Sequence, residues 1–228
     1  MNQMHRREFM GRCAAAGTAV VGVGAAPQVL AQGNFVEGQQ YLRFSPPLPV
    51  SVPAGKIEVI EFFSYACPHC YAFEPSLNEW TRKLPADVVF RRVPVPFLIN
   101  AENFQRGYYA LEALGQVELA HARIFTAVHR DHKIPSRPEA MADLVAQGGV
   151  DREKFLAAFN SFGVASKLTQ GKTLMERYKI NGVPSLGIHG RFLTSPSLVG
   201  RDALPETESQ SMALALTDQL IARARKGG

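Results

Sequence analysis

Two cysteines separated by two residues, in Cys67-Pro68-His69-Cys70, have the clearest capacity for chemistry in this 228-residue chain. They follow a mostly apolar run, residues 57–63, that predicts a buried strand. Thiols at this spacing, placed where a strand gives way to a helix, can close a disulfide within one turn and pass it to another protein. The motif therefore predicts a redox site.

The cysteine pair has two other interpretations, half of a zinc site or an incidental pair. Tetrahedral zinc needs two further ligands, and the chain's third cysteine, Cys13, lies in a segment that we predict to be removed. His121, His129 and His132 occupy a polar stretch, which we interpret as a solvated surface rather than a ligand cluster. We therefore predict no metal site.

The residues around Cys67 predict that its thiol ionises easily. Pro68 suits the first position of a helix because it has no amide hydrogen to leave unpaired, and this places Cys67 at the helix cap. The helix dipole and the free amides favour negative charge on the sulfur, and His69 adds to this if it supplies a hydrogen bond or a charge. The alternative for His69 is a solvated spacer. We expect an exposed Cys67 sulfur and a buried Cys70.

The first 31 residues are typical of an export signal. They have a basic start with Arg6 and Arg7, an apolar run of small residues from 14 to 26, and a small-residue cleavage site ending at Ala31. The run is too short and too rich in glycine to span a bilayer on its own. The arginine pair also fits a twin-arginine signal, and an ordinary secretory signal stays open as the alternative. Either signal predicts export from the cytoplasm.

Length and charge limit the remaining possibilities. Removal of 31 of the 228 residues leaves 197, which suits one domain or a domain with a large insertion. The formal charge of +5 falls to about +3, because the removed piece carries three arginines and one glutamate. A charge this small and dispersed gives no reason to expect nucleic-acid binding.

The pattern of apolar residues predicts an α/β protein. A helix is expected from 68 to 83 and a second strand from 88 to 93, and the short links require a crossover that makes the two strands parallel. Residues 97–181 carry helical signals and little strand signal, with Asp151 as one helix cap. A hairpin turning at His189-Gly190 and a closing helix complete the chain.

Motifs along the chain resemble those of known redox proteins. The first strand, the cysteine pair, the long helical stretch and Gly182-Val183-Pro184 occur in the order seen in thioredoxin-like proteins. The chain resembles the DsbA family of bacterial periplasmic thiol:disulfide oxidoreductases more closely, through the segments flanking the cysteines, Glu61-Phe62-Phe63-Ser64 and Tyr71-Ala72-Phe73-Glu74. This resemblance implies a thioredoxin-like fold built from residues 32–96 and 182–228, with an inserted all-helical domain at 97–181.

The resemblance also implies roles for residues outside the cysteine motif. Pro184 is expected to follow a cis peptide bond beside the cysteines, with the Val183 backbone available to pair with an extended substrate. Glu61 matches a buried acid that helps Cys70 lose its proton, although a solvent-facing glutamate on an edge strand stays open. Arg92 stands where relatives often carry lysine, and because arginine does not deprotonate, a relay role there is doubtful.

Together these features predict an enzyme that donates its Cys67–Cys70 disulfide to exported, unfolded proteins through a mixed disulfide on Cys67. The resemblance implies reoxidation by a DsbB-type membrane quinone reductase, a periplasmic location, no bound cofactor, and a monomer. A reductase or isomerase on the same fold is the first alternative. A non-enzymatic binding or chaperone module is the second.

Overall fold

A five-stranded mixed sheet is the centre of the computed structural model, which describes residues 35–201 and 203–227. The strands are β1 (Tyr41–Arg43), β2 (Ile57–Phe63), β3 (Val88–Pro94), β4 (Ser185–Ile188) and β5 (Phe192–Thr194). Their order across the sheet is β1-β5-β4-β2-β3. Only the β2–β3 pair is parallel among these strands, and the other three pairs are antiparallel. The predicted export signal and Cys13 lie outside the described residues.

Eight helices accompany the sheet in the described part of the chain. They are α1 (Pro68–Thr81), α2 (Ala101–Ala113), α3 (Val117–His129), α4 (Pro138–Ala146), α5 (Arg152–Phe159), α6 (Phe162–Arg177), α7 (Pro196–Gly200) and α8 (Glu206–Arg225). The prediction of an α/β class is confirmed. Within residues 35–201 and 203–227, no helix combines the length and the apolar character needed to cross a bilayer.

Strand β2 is buried along its whole length, and its two faces serve different packing layers. Val59 packs with Phe73 and Leu77 of α1 in one apolar cluster, whereas Ile60 and Phe62 belong to another. This division follows from the alternation of side chains along a strand. Glu61 lies two residues after Val59 and therefore points to the same face of the sheet. It accepts a hydrogen bond from Arg92, which also bonds Glu74 of α1, so the helix that carries the cysteines covers this glutamate.

The β2–α1–β3 unit has the predicted parallel crossover, with Glu61 opposite Arg92 in the register. Helix α1 begins at Pro68 as expected, and ends at Thr81, two residues before the predicted end. Asp151 caps α5 as expected, since its side chain accepts a hydrogen bond from the Lys154 amide at 2.9 Å.

Five helices, α2 to α6, fill the sequence between β3 and β4, where the helical insertion was predicted. Their apolar core includes Phe104, Phe125 and Phe155, and it also contains Phe63 and Tyr65 from the segment leading to the cysteines. The described residues from 35 onward cluster as one unit. The proposed boundaries between a thioredoxin-like domain and an inserted domain therefore stay a prediction.

The predicted hairpin is present as β4 and β5, joined through His189 and Gly190. Both turn residues have positive φ, 49° and 66°, and the Arg191 amide donates a hydrogen bond to the Ile188 carbonyl at 2.9 Å, so they are the central residues of a tight β-turn. The ring of Tyr178, just after α6, lies over Gly187, and its hydroxyl accepts a hydrogen bond from the Gly190 amide at 2.9 Å. This contact ties the end of the helical segment to the hairpin.

Candidate active site

Cys67 is the N-cap residue of α1, and Pro68 occupies the first turn. The amide of Cys70 donates a hydrogen bond to the Cys67 sulfur at 3.4 Å, so the cap interaction is made by a thiol instead of the usual hydroxyl or carboxylate. Both cysteines are unbonded thiols. The structure is therefore that of the reduced, dithiol form.

The surroundings of Cys67 favour its thiolate. A hydrogen bond from the Cys70 thiol is the largest effect, and it lowers the pKa of Cys67 from 9.0 to about 6. Burial opposes this, while the amides of Cys70 and His69 and the charge of His69 add to it. A thiol with this pKa is mostly ionised at neutral pH.

Cys70 has the opposite character. It is fully buried, and burial is the main reason that its pKa is raised well above 9.0. A thiolate on Cys67 and the charge of Glu61 raise the pKa of Cys70 further. The two thiols of one motif are thus held at very different acidities.

The expectation of an exposed Cys67 sulfur is wrong for this dithiol state, because only 4% of the residue is exposed. The sulfur is turned inward and lies 3.4 Å from the Val183 carbonyl oxygen, to which it donates a hydrogen bond when Cys67 is a neutral thiol. The Val183–Pro184 peptide is cis. Pro184 and His69 border the same groove of about 220 Å³, so the loop before β4 and the start of α1 form one surface.

His69 lies at the edge of this surface, with 69% of its side chain exposed. Its Nδ1 atom is 2.8 Å from Oε1 of Glu206, the first residue of α8. The hydrogen bond to Glu206 raises the pKa of His69, against a smaller effect of burial. Glu206 was not predicted as a site residue, because a contact across 137 positions leaves no local sequence signal.

Glu61 is completely buried beneath the cysteines, which excludes the solvent-facing alternative. Burial raises the pKa of Glu61 to about 8, despite the attraction of Arg92. The Arg92 Nε donates to Glu61 Oε2 at 2.8 Å, whereas Oε1 is buried with no hydrogen-bond partner in the described structure. At neutral pH this side chain is therefore largely a neutral acid with one oxygen unused.

Arg92 joins Glu61 to a second buried carboxylate, Glu74 of α1. Its NH2 group lies 3.3 Å from Glu74 Oε1 and 2.9 Å from the Asn78 side-chain oxygen. Burial opposes the charge of Arg92, but the two carboxylates outweigh it and raise the pKa of Arg92. Burial also opposes ionisation of Glu74, but His121, Arg92 and Asn78 together lower its pKa. The guanidinium is therefore a fixed charge between two acids.

The interpretation of the histidines as a solvated surface is wrong for two of them. His121 is buried, with Nδ1 2.7 Å from the Tyr65 hydroxyl and Nε2 3.2 Å from Glu74 Oε1, the latter too poorly aligned for a hydrogen bond. Burial lowers the pKa of His121. His129 contacts the Tyr65 carbonyl at 2.9 Å. His132 is exposed, and no three His, Cys, Asp or Glu residues of the described ranges are placed to bind a metal ion.

The dithiol motif lies at a helix N-terminus, contacts a cis-proline loop and follows a strand of a mixed sheet. This combination defines a thiol:disulfide oxidoreductase of the thioredoxin-like class. Residues 87–210 match the family model of the DSBA-like thioredoxin domain. The chain belongs to the DsbA family, and it exchanges disulfides with protein substrates. The prediction of a thioredoxin-like fold with a helical insertion is confirmed.

Individual relatives cover most of the chain. A thiol:disulfide interchange protein DsbA of Bordetella parapertussis is 41% identical over 201 residues, 88% of this chain and 90% of the relative. The crystal structure of Pseudomonas aeruginosa DsbA superposes with a TM-score of 0.77 at 39% identity, covering 85% of this chain and 96% of that one. A Proteus mirabilis DsbA with a non-covalently bound peptide, PWATCDS, has a TM-score of 0.70 at 27% identity, covering 83% and 99%.

Proposed function

We propose that this protein is a disulfide donor, which transfers its Cys67–Cys70 disulfide to exported, unfolded proteins. The observation that carries the proposal is the difference in acidity between the two thiols. The pKa of Cys67 is about 6, so the reduced protein gains free energy as a thiolate at neutral pH. A stabilised reduced form makes the disulfide form a stronger oxidant.

The transfer consists of two thiolate attacks. A substrate thiolate attacks Sγ of Cys67 in the enzyme disulfide, the Cys67–Cys70 bond breaks, and Cys70 leaves with the electron pair and takes up a proton. A second substrate thiolate then attacks the substrate sulfur of the mixed disulfide and expels Cys67 as a thiolate. The substrate is oxidised by two electrons and the enzyme is reduced by two. Cys67 suits the second step because a low-pKa thiol leaves faster.

Glu61 provides the proton that Cys70 needs. A buried thiol of high pKa leaves poorly unless it is protonated as the bond breaks, and it attacks poorly unless a base removes its proton on reoxidation. Glu61 is buried beside the pair, has a pKa of about 8 and has one unused oxygen. Arg92 holds the other oxygen and keeps its own charge, so it positions Glu61 and carries no proton.

The other two residues of the motif adjust the electrostatics of Cys67. Pro68 opens α1 without an amide hydrogen of its own, and the His69 and Cys70 amides act on the sulfur. His69 contributes positive charge when it is protonated. The solvated-spacer alternative is less consistent with its ion pair to Glu206.

Substrate chains bind along the Val183–Pro184 segment. The Val183 carbonyl oxygen lies 3.4 Å from the Cys67 sulfur, so a substrate strand that pairs with the Val183 backbone passes close to the reacting atom. Backbone pairing tolerates many sequences, which suits a catalyst that acts on unfolded proteins. The peptide carried by the Proteus mirabilis relative contains a cysteine, and this supports the same class of substrate here.

We extend the proposal to the cellular setting that the DsbA resemblance implies. The mature protein acts in the periplasm as a monomer after cleavage at Ala31, by a twin-arginine or an ordinary secretory route. A DsbB-type membrane quinone reductase reoxidises it, and the redox-active disulfide serves in place of a bound cofactor.

The proposal is tested by the direction of electron flow. Oxidised protein is mixed with a reduced peptide that carries two cysteines, and the loss of peptide thiols is followed alongside an equilibrium with glutathione. We expect rapid peptide oxidation and an equilibrium that favours the reduced enzyme. Cys67→Ser abolishes the transfer. An equilibrium near that of thioredoxin supports the reductase or isomerase alternative and contradicts the donor role, and activity that survives Cys67→Ser supports the binding module.

A further inference from the structure

An ion pair outside the cysteine motif connects the first turns of two helices. Glu206 begins α8, and its Oε1 lies 2.8 Å from Nδ1 of His69 in the first turn of α1. The side chains are 69% and 46% exposed, for His69 and Glu206 respectively. Ion pairs this exposed contribute little to folding stability. The significance of the contact therefore lies in its position, two residues from Cys67.

The groove beside Pro184 contains few charged groups that act on His69. Glu206 and Cys67 are the two that raise the pKa of His69. Arg201 lines the same groove, but its guanidinium is hydrogen-bonded to the Gln39 side chain at 2.9 Å. Among the described residues, the titratable groups around His69 are thus the Glu206 carboxylate and the Cys67 thiol, with the Arg201 guanidinium at the edge of the groove.

We propose that Glu206 is a positioning residue that makes the protein a stronger disulfide donor, by holding His69 and favouring its imidazolium form beside Cys67. This inference rests on the proposed function, because it presupposes that the Cys67 thiolate sets the donor strength. It extends the active site to α8, which supplies no atom to the exchange itself.

Glu206 has two opposing electrostatic effects on the Cys67 thiolate. The Glu206 carboxylate favours protonated His69, and the positive charge of His69 lowers the pKa of Cys67. The carboxylate also brings a negative charge near the thiolate, but His69 is among the main groups that shift the pKa of Cys67 and Glu206 is not. Because Glu206 raises the pKa of His69, the imidazolium is more populated than it would be without the carboxylate, and there the first effect dominates. At a pH low enough to protonate His69 with or without Glu206, only the second effect remains.

The experiment compares Glu206→Gln with Glu208→Gln. Glu208 lies in the same first turn of α8, is exposed, and carries the same charge at the same helix end, so its removal matches the loss of charge without the contact to His69. The measurements on reduced protein are the thiolate absorbance of Cys67 against pH and the His69 titration by NMR. The equilibrium with glutathione is measured at pH 7 and pH 5.

For Glu206→Gln we expect the His69 pKa to fall and the Cys67 midpoint to rise by about 0.3 to 0.7 units. At pH 7 this corresponds to an equilibrium constant about two- to fivefold less favourable to the reduced enzyme, since one pKa unit is a factor of ten. At pH 5 the difference in the equilibrium shrinks, because Cys67 with a pKa of about 6 is mostly a neutral thiol there. Glu208→Gln leaves all three measurements near wild type.

Adding Glu206→Gln to a His69→Gln protein causes no further loss of donor strength if Glu206 acts through His69, and loss of the carboxylate charge alone lowers the Cys67 midpoint slightly. Equal shifts in Glu206→Gln and Glu208→Gln, or an additive effect in the double variant, would overturn the inference. If wild-type Cys67 titrates like free cysteine, the proposed function itself fails. If the midpoint of wild-type Cys67 lies well below that of free cysteine and Glu206→Gln has the same midpoint and the same glutathione equilibrium, only the role of Glu206 fails.

Discussion

The Tyr65 hydroxyl lies 2.7 Å from Nδ1 of His121, and this contact connects the segment before the cysteines to helix α3. The Nε2 atom of His121 faces Glu74 Oε1 at 3.2 Å. The negative charge of the carboxylate favours the tautomer in which Nε2 carries the proton, even though the contact is too poorly aligned for a hydrogen bond, and the tyrosine hydroxyl then donates to Nδ1. A neutral imidazole thus serves both a tyrosine and the buried carboxylate network under the active site.

Replacing this buried imidazole should destabilise the protein far more than replacing an exposed one. His121→Asn leaves the buried Tyr65 hydroxyl without its hydrogen-bond partner and removes the imidazole that faces Glu74, and we expect a loss of about 2 kcal/mol or more in the free energy of unfolding. His132→Asn is the matched control, because His132 is exposed and asparagine tolerates its φ of 54°. Urea unfolding measures both. A loss in His121→Asn no larger than that in the control contradicts the role of the contact.

The low pKa of Cys67 depends first on the Cys70 thiol. Cys70→Ala removes this donor, and we expect the Cys67 midpoint to rise by about one unit, while the backbone amides keep it below that of free cysteine. Cys70→Ser keeps a hydroxyl donor and should stay nearer to about 6. Thiolate absorbance against pH makes the comparison. Identical midpoints for the two variants argue against the thiol–thiolate hydrogen bond.

Glu61 should make folding of the reduced protein depend on pH. Its pKa is raised from 4.5 to about 8, so between these values the folded protein holds a proton that the unfolded chain releases. Its contribution to stability is present below the unfolded pKa and is lost as pH rises, by at most about 1.4 kcal/mol per unit. Glu61→Gln lacks this dependence.

The stability of Glu61→Gln relative to wild type should therefore increase from pH 5 to pH 8 and level off above. Unfolding of both reduced proteins in urea, at several pH values, gives the difference directly. A difference that stays constant across this range means that Glu61 is ionised in the folded protein.

Gly187 in the middle of β4 should not accept a side chain. An added Cβ would lie 2.5 Å from Cε1 of Tyr178, whose ring is buried and whose hydroxyl is held by the Gly190 amide. We expect Gly187→Ala to cost about 2 to 3 kcal/mol of stability. Gly163 of α6 is the control, because its Cβ would meet only the Ser161 hydroxyl at 3.7 Å. Gly163→Ala should be neutral or slightly stabilising, and equal thermal stability of the two variants counts against the close approach.

The sequence predicted the sheet unit that carries the cysteines because its signals are local. A continuous apolar run defined β2, Pro68 marked the start of α1, and His189-Gly190 marked the hairpin turn. Phe162, the first residue of α6, is 88% exposed, so the pattern of apolar residues gives no signal for where this helix begins. Helix α7, five residues long, was too short for a periodic pattern.

Residues of the site were predictable where they belong to a motif and unpredictable where they meet through tertiary packing. His121 was assigned to the surface because of its polar neighbours, but its spacing of four from Phe125, itself four from His129, was a usable signal that all three share one helix face. No comparable signal exists for Glu206 or for the pairing of Arg92 with Glu74. Those contacts depend on how α1, α8 and β3 are arranged in space.

Strand β3 forms one edge of the sheet, where an edge usually invites another chain to pair. It carries Arg91 and Arg92 in succession, on opposite faces, and both are anchored to carboxylates of β2, Glu58 and Glu61. Charged residues on an edge strand discourage addition of a further strand, and Pro94 removes an amide donor at its end. If the substrates are unfolded polypeptides, as proposed, this edge discourages them from adding as a further strand at a site away from the cysteines.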